Sequence, residues 1–232
     1  MTRVQRVKQR MLTFASRGGA RRGAGRKPVG ERACVSHKKR EKFLDRLPVH
    51  VTLRLADGLR SLRRGPTHYV LRQVIAAGAE RDGFRVVHYS AMRNHIHLLC
   101  EADNHVRLAR GVQGLKVRIA RRLNQWWGRR GKVFADRFHS HVLHTPTEVR
   151  NALMYVLKNA HHHKLLLPGQ LDPFSSAAWF DGWKGIEPKS NALLPIARTR
   201  LMTDGWRKRG LLDPDGVPAS RTRSRPLLRR RA

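Results

Sequence analysis

The stretch that most constrains the fold runs from Met92 to Cys100 and reads Met-Arg-Asn-His-Ile-His-Leu-Leu-Cys. Successive side chains of a β-strand point to opposite faces of the sheet. As a strand, this stretch places His95 and His97 on one face, and Ile96 and Leu98 on the other, where a core can hold them. Two imidazoles side by side on a rigid strand can form half of a metal site.

The segments around this stretch predict an α+β fold. Asn104 is a good N-cap for a helix, and Thr145 with Pro146 and Glu148 forms a capping box for another. The order β-α-β-β-α-β-α is that of a ferredoxin-like antiparallel sheet with helices on one face. Apolar spacing and turn residues predict strands at 49–55, 84–92, 95–99 and 138–143, and helices at 66–81, 105–127 and 146–160.

The charge of the chain indicates a polyanionic partner. It has 49 Lys and Arg against 16 Asp and Glu, which gives a net charge of +33 over 232 residues. The electrostatic field of such a basic chain favours binding of nucleic acid. No run approaches the roughly 18 apolar residues of a spanning helix, and the basic stretches lack a wide apolar face, so we expect no membrane.

The N-terminus shows no secretory signal, and Cys34 and Cys100 suggest no disulfide framework. We therefore expect a cytoplasmic protein. Changes in amino-acid composition divide the chain into three parts. They are a basic, disordered arm at 1–47, a folded domain at 48–163, and a proline-rich extension with a basic tail at 164–232. In this extension, the aromatic residues of 171–183 are expected to dock on the core.

A second motif, Tyr155-x-x-x-Asn159, lies in the last predicted helix. Positions four apart share one helix face, so the phenol and the amide oxygen point to the same side. If this side meets His95 and His97, the site can hold a divalent ion and place a nucleophile beside it. A phenol with a pKa of about 10 needs deprotonation or a polarised target, and Lys158 could favour the phenolate. The structural alternative is that Tyr155 is a packing residue.

The strand 94–98 and the later Tyr155-x-x-x-Asn159 helix together resemble the HUH nucleases with a single catalytic tyrosine. More narrowly, they resemble the transposases of simple bacterial insertion sequences and the REP-associated tyrosine transposases. The resemblance covers about residues 48–163, and Asp136-Arg-Phe-His139 also fits it. The arm and the proline-rich end are not part of the minimal transposase, which hints at a REP-associated or domesticated branch.

The resemblance implies a mechanism. His95 and His97 would bind Mg²⁺ or Mn²⁺, with Asn159 as the third ligand. Tyr155 would attack single-stranded DNA at a hairpin, leaving a 5′-phosphotyrosine and a free 3′-OH, and so serve DNA transposition. The enzyme would act as a monomer or homodimer. We expect DNA contacts from a set of mostly basic residues: Arg93, Asn94, Lys116, Arg118, Arg121, Arg122, Arg137 and Lys158.

Three alternatives stay open at this stage. The first is a domesticated protein that binds repeated palindromic elements without cutting them. The second is an RNA-binding protein with a ferredoxin-like sheet, although the strands offer almost no exposed aromatic residues for it. The third concerns the ligands, since His139-Ser-His141 is a competing pair on another predicted strand.

Overall fold

The computed structural model describes residues 41–43, 45–167, 169–191 and 193–216. The predicted basic arm lies almost wholly outside these residues, as does the basic tail from 221 onward. The strands and helices of the described part are β1 (Leu47–Arg54), α1 (Gly65–Gly78), β2 (Glu80–Arg81), β3 (Phe84–Ala91), β4 (His95–Ala102), α2 (His105–Trp127), β5 (His139–Val142), α3 (Pro146–Leu157) and α4 (Asn159–His162).

The strands form one antiparallel sheet in the order β2-β3-β4-β1-β5. Without the two-residue β2, this is the order of a ferredoxin-like sheet, so the predicted fold class is confirmed. Met92 N donates to His95 O at 2.9 Å and closes the β3–β4 hairpin. β4 lies between β3 and β1, which leaves its backbone paired on both sides.

The two predicted caps are confirmed. The Asn104 side chain accepts from the backbone N–H groups of Val106 and Arg107 at the start of α2. At the start of α3, the side chains of Thr145 and Glu148 bind each other's backbone N–H groups. These contacts satisfy donors that helix ends otherwise leave unpaired.

Two predicted helix ends were wrong. α1 ends at Gly78 rather than at 81, because Gly83 adopts a left-handed φ of +69° and turns Glu80 and Arg81 back to pair with β3. The helix predicted at 146–160 breaks at Lys158, whose φ of −108° and ψ of 16° separate α3 from α4.

The sheet is covered on both faces, with a separate apolar core on each. Ile96 and Leu98 of β4 belong to the core formed with α1 and α2. Leu99 belongs to a second core, which contains Leu153 and Val156 of α3. Because side chains alternate along a strand, α3 lies on the face opposite α1 and α2. The prediction of helices on one face therefore holds for α1 and α2 but is wrong for α3, whose own apolar residues pack on the second face. This is the face that carries His95 and His97.

The residues after α4 complete the second core. Phe180, Trp183 and Trp206 are buried there against α3, so the predicted docking of the aromatic residues is confirmed. The Glu101 carboxylate of β4 anchors this segment: it accepts from Thr199 N at 2.7 Å and Thr199 Oγ1 at 2.6 Å. Over the described residues, no helix combines the length and hydropathy needed to cross a membrane.

This anchor gives a test of how the extension is held. Glu101 is buried and also pairs with Arg85 at 3.1 Å. We expect Glu101→Gln to lower the free energy of unfolding by about 3 kcal/mol, because the buried Arg85 loses its counter-charge and one of the two acceptor oxygens becomes an amide NH₂ donor. Urea unfolding measures it. Glu80→Gln is the matched control, since the half-exposed Glu80 also pairs with Arg85; an equal loss in both variants would contradict a special role for Glu101.

Candidate active site

The two histidines of β4 lie together, as the alternation predicts. Their ring centroids are 4.8 Å apart and the rings are perpendicular. His97 is only 4% exposed, and its Nε2 atom is buried without a hydrogen-bond partner in the described residues. His95 is more exposed, and its Nδ1 lies 2.9 Å from Asn94 Oδ1. The His97 Nε2 atom is therefore available to bind a group other than the described side chains.

Helix α3 brings Tyr155 to the same place. Its neighbour Val156 is fully buried in the second core, which fixes the helix against the sheet. The Tyr155 ring lies edge-on to His97, with 5.2 Å between ring centroids, and Tyr155 stays 36% exposed. The nucleophile candidate therefore contacts a ligand candidate and remains accessible to a substrate.

Asn159 is the first residue of α4 and is fully buried. Neither its Oδ1 nor its Nδ2 has a hydrogen-bond partner in the part of the chain described. The predicted continuous helix face does not exist here, because Lys158 interrupts the helix between Tyr155 and Asn159. A buried amide with both polar atoms unpaired is costly. The Asn159 amide oxygen is therefore available to accept from, or bind, a group outside the described residues.

Sequence reasoning missed two residues of β1. His50 Nε2 lies 3.0 Å from His97 Nδ1, and Thr52 Oγ1 lies 3.2 Å from the same atom. The His50 ring also lies 5.7 Å from the Tyr155 ring. The strand was predicted, and its alternation puts both side chains on one face, but only the pairing of β1 with β4 shows that this is the face of His97.

The surroundings keep both ligand candidates uncharged. Burial, with smaller contributions from His163 and Arg54, lowers the pKa of His95 to about 4. Burial lowers the pKa of His97 well below its ordinary value, and His50, His95 and His163 act in the same direction. Neutral imidazoles have a lone pair to offer a metal ion.

The sequence of this region matches a known family. Residues 45–159 match the family model described as transposase, IS200 like. The match spans about half of the 232 residues and includes both histidines, Tyr155 and Asn159. The chain belongs to the IS200-like transposase family. The resemblance inferred from the sequence is thereby confirmed, and with it a role in DNA binding and transposition.

Two solved structures are similar to this chain. One is a REP-associated tyrosine transposase bound to a REP hairpin, with 17% identity and a TM-score of 0.48 over 61% of this chain and 82% of that one. The other is a candidate transposase from Deinococcus radiodurans, with 16% identity and a TM-score of 0.38 over 55% of this chain and 97% of that one. No protein of curated function matches the sequence. The family assignment depends on the family match alone.

Members of this family generally use a divalent metal ion, and the residues present fit one. His97 Nε2 and the Asn159 amide oxygen are buried without a partner in the described residues, and the hydrogen bond of His95 to Asn94 uses Nδ1 rather than Nε2. The described residues contain no cluster of three His, Cys, Asp or Glu side chains placed for a metal. The candidate set differs from such a cluster because its third member is an amide.

Lys158 has a different environment from the one predicted. It is 3% exposed, and its amine donates to the carbonyl oxygens of Pro214 and Gly216. Burial lowers its pKa, which Asp213 and Asp215 oppose. The amine is therefore occupied by the C-terminal segment and is not presented to DNA or to the Tyr155 phenol.

The other residues predicted to contact DNA fall into two groups. Arg93 and Asn94 are exposed in the β3–β4 turn, directly before His95. The remainder lie away from the histidines, because α2 packs on the opposite face of the sheet. Lys116 and Arg137 line one groove there, while the other three follow α2: Arg118, Arg121 and Arg122.

The competing pair lies on the edge strand β5. His139 and His141 are exposed, opposite Thr52 and His50 in the β1–β5 register. They are thus next to Thr52 and His50, which contact His97. Among the described hydrogen bonds and ring contacts, none joins His139 or His141 to the histidines of β4.

The unpaired amide of Asn159 gives a stability test. We expect Asn159→Leu, which keeps the branched shape without polar atoms, to raise the free energy of unfolding by about 1–2 kcal/mol, because a buried unsatisfied amide is removed. Asn124→Leu is the control, since Asn124 donates to Gly131 O and accepts from Arg129. It should destabilise the protein. Equal destabilisation in urea by both variants would show that the Asn159 amide has a partner.

Proposed function

We propose that this protein is a metal-dependent single-stranded DNA endonuclease and strand transferase, with Tyr155 as its nucleophile. One observation carries the proposal: the Tyr155 ring lies 5.2 Å from the ring of His97, whose Nε2 is buried and unpartnered within the described chain. If Tyr155 served only in packing, an unpartnered imidazole nitrogen next to it would be unexplained. If Tyr155 attacks a DNA phosphate activated by a metal ion, that nitrogen is explained as a ligand of the ion.

In this proposal the ligands are His95 Nε2, His97 Nε2 and Asn159 Oδ1, holding Mg²⁺ or Mn²⁺. When bound, the ion polarises the scissile phosphate as a Lewis acid. The protein keeps the imidazoles neutral by burial and orients His95 through Asn94. Tyr155 is exposed enough to reach a DNA phosphate at this place.

The chemical step exchanges one phosphodiester bond for another. The Tyr155 hydroxyl oxygen forms a bond to phosphorus and the bond to the 3′ oxygen breaks. The phenol loses its proton and the 3′ oxygen gains one, which leaves a 5′-phosphotyrosine and a free 3′-OH. Because the phosphotyrosine keeps the energy of the phosphodiester, attack by another 3′-OH rejoins the strand and releases the tyrosine.

The charge and the accessible polar residues support DNA as the substrate. Arg93 and Asn94 are exposed directly before His95, which supports a role for them in binding the DNA next to the cleaved phosphate, and the net charge of +33 attracts its backbone. A hairpin beside a single strand is the substrate form that we propose. His95, His97 and Tyr155 come from one chain, so a monomer is sufficient for cleavage. Such an enzyme acts where chromosomal DNA is, in the bacterial nucleoid.

The proposal predicts a covalent protein–DNA adduct. A labelled single-stranded oligonucleotide with a hairpin, incubated with the full chain and Mn²⁺, is expected to give a tyrosine-linked product on a denaturing gel. Tyr155→Phe should abolish the adduct, because no nucleophilic oxygen remains, while leaving DNA affinity unchanged. Tyr69→Phe is the control, since Tyr69 is 57% exposed on α1 and should react like the wild type.

Other outcomes favour other functions. Binding of hairpins without any adduct, across a library of stem and flank sequences, would indicate the non-cleaving DNA-binding protein instead. An adduct that persists in Tyr155→Phe would exclude Tyr155 as the nucleophile.

The proposal also predicts that the reaction needs a divalent ion. Excess EDTA is expected to abolish the adduct, and Mg²⁺ or Mn²⁺ in excess over the chelator should restore it. His97→Gln should weaken the response to added metal more than His68→Gln, since His68 is buried on the other side of the sheet and bonded to Tyr89. Cleavage that is unchanged in EDTA would contradict metal dependence.

A further inference from the structure

His50 lies next to the metal-ligand candidate His97, but it is neither a ligand nor the nucleophile in the proposed mechanism. It lies on β1, two residues before Thr52, which pairs directly with His97 across the β1–β4 register. Side chains two residues apart on a strand share a face, so both reach the same imidazole. Their contacts converge on one atom, His97 Nδ1, at 3.0 Å from His50 and 3.2 Å from Thr52.

These contacts bear on where His97 carries its single hydrogen. A neutral imidazole has one N–H, on Nδ1 or on Nε2, and only the other nitrogen can bind a metal ion. With the hydrogen on Nε2, His97 would have a buried N–H with no acceptor among the described residues. With the hydrogen on Nδ1, it donates to His50 Nε2 or to Thr52 Oγ1. The surroundings therefore favour the Nδ1–H tautomer.

His95 also has an acceptor next to its Nδ1, but from a different residue. Its Nδ1 lies 2.9 Å from Asn94 Oδ1, an amide oxygen that can only accept, so His95 also carries its hydrogen on Nδ1. Both histidines of β4 thus present Nε2 without its hydrogen. Outer contacts of this kind commonly orient metal-binding histidines and fix their tautomer.

We propose that His50 is a positioning residue: together with Thr52 it holds His97 in the Nδ1–H tautomer, so that Nε2 is ready to bind a divalent cation. The inference rests on the proposed function, since it gives His97 the role of a metal ligand. The His50 ring also contacts Tyr155, with 5.7 Å between centroids. One residue of β1 therefore touches both the ligand and the nucleophile.

Substitutions that each remove a single hydrogen-bonding group can test this proposal. His50→Phe keeps a ring between His97 and Tyr155 but removes the acceptor nitrogen, and Thr52→Val removes the hydroxyl at similar volume. The double variant therefore leaves Nδ1–H without either acceptor. His50→Gln is the rescue, because its side-chain amide can place an oxygen near the position of Nε2. His68→Phe is the control for loss of a buried histidine on the other face of the sheet.

The first measurement is the tautomer itself. Nitrogen NMR of the metal-free full chain, labelled on histidine and assigned with His97→Gln, is expected to show His97 with protonated Nδ1 and bare Nε2. The double variant should shift His97 towards the Nε2–H form, and His50→Gln should not. A wild-type spectrum with the hydrogen on Nε2 overturns the proposal, whether or not any variant folds.

The second measurement is Mn²⁺ affinity, followed by EPR with the metal alone. The double variant is expected to bind Mn²⁺ about 10- to 100-fold more weakly, while His50→Gln and His68→Phe stay close to the wild type. Unchanged affinity in the double variant overturns the role of His50 while the proposed function stands. Failure of the wild type to bind Mn²⁺ and to form the DNA adduct overturns both.

Discussion

The position of β4 in the middle of the sheet is the constraint on which the rest of the structure depends. Its backbone is paired on both sides, and its side chains alternate between an apolar core and the face that carries His95 and His97. A shift of one residue would bury the imidazoles against α1 and α2 and expel Ile96 and Leu98. The fully buried apolar residues thus fix the register, and the register fixes the histidines. The burial of apolar side chains that stabilises the core therefore also fixes the positions of His95 and His97.

The packing of α3 on the histidine face leaves polar atoms buried in the candidate site. α3 must pack closely enough to bury Val156, which brings Tyr155 against His97 and removes water from it. The result is a set of buried polar atoms without partners among the described residues, on His97 and Asn159. A core selected only for stability would replace these groups by apolar ones. Under the proposed function, stability is given up locally so that an ion and a DNA phosphate can be bound.

The sequence predicts the parts that depend on local rules. The alternation of β4, the N-cap Asn104 and the capping box at Thr145 each act over a few residues, and the structure has them where they were expected. What could not be predicted depends on pairing between distant segments. His50 and His97 are 47 residues apart, and only the β1–β4 register shows that they meet. The break at Lys158 likewise has no local signal, since its amine binds carbonyls near residue 215.

The C-terminal extension is part of the unit that holds Tyr155. The family match ends at residue 159, yet the core that fixes α3 continues through Trp183 and Trp206. Lys158 lies between Tyr155 and Asn159, and its contacts with Pro214 and Gly216 tie that junction to the far end of the described chain. A second tie comes from Arg150, which donates to the Gly210 and Leu211 carbonyls. The positions of Tyr155 and Asn159 therefore depend on residues outside the family match, and transferring the matched segment alone to another chain would leave α3 without much of its packing.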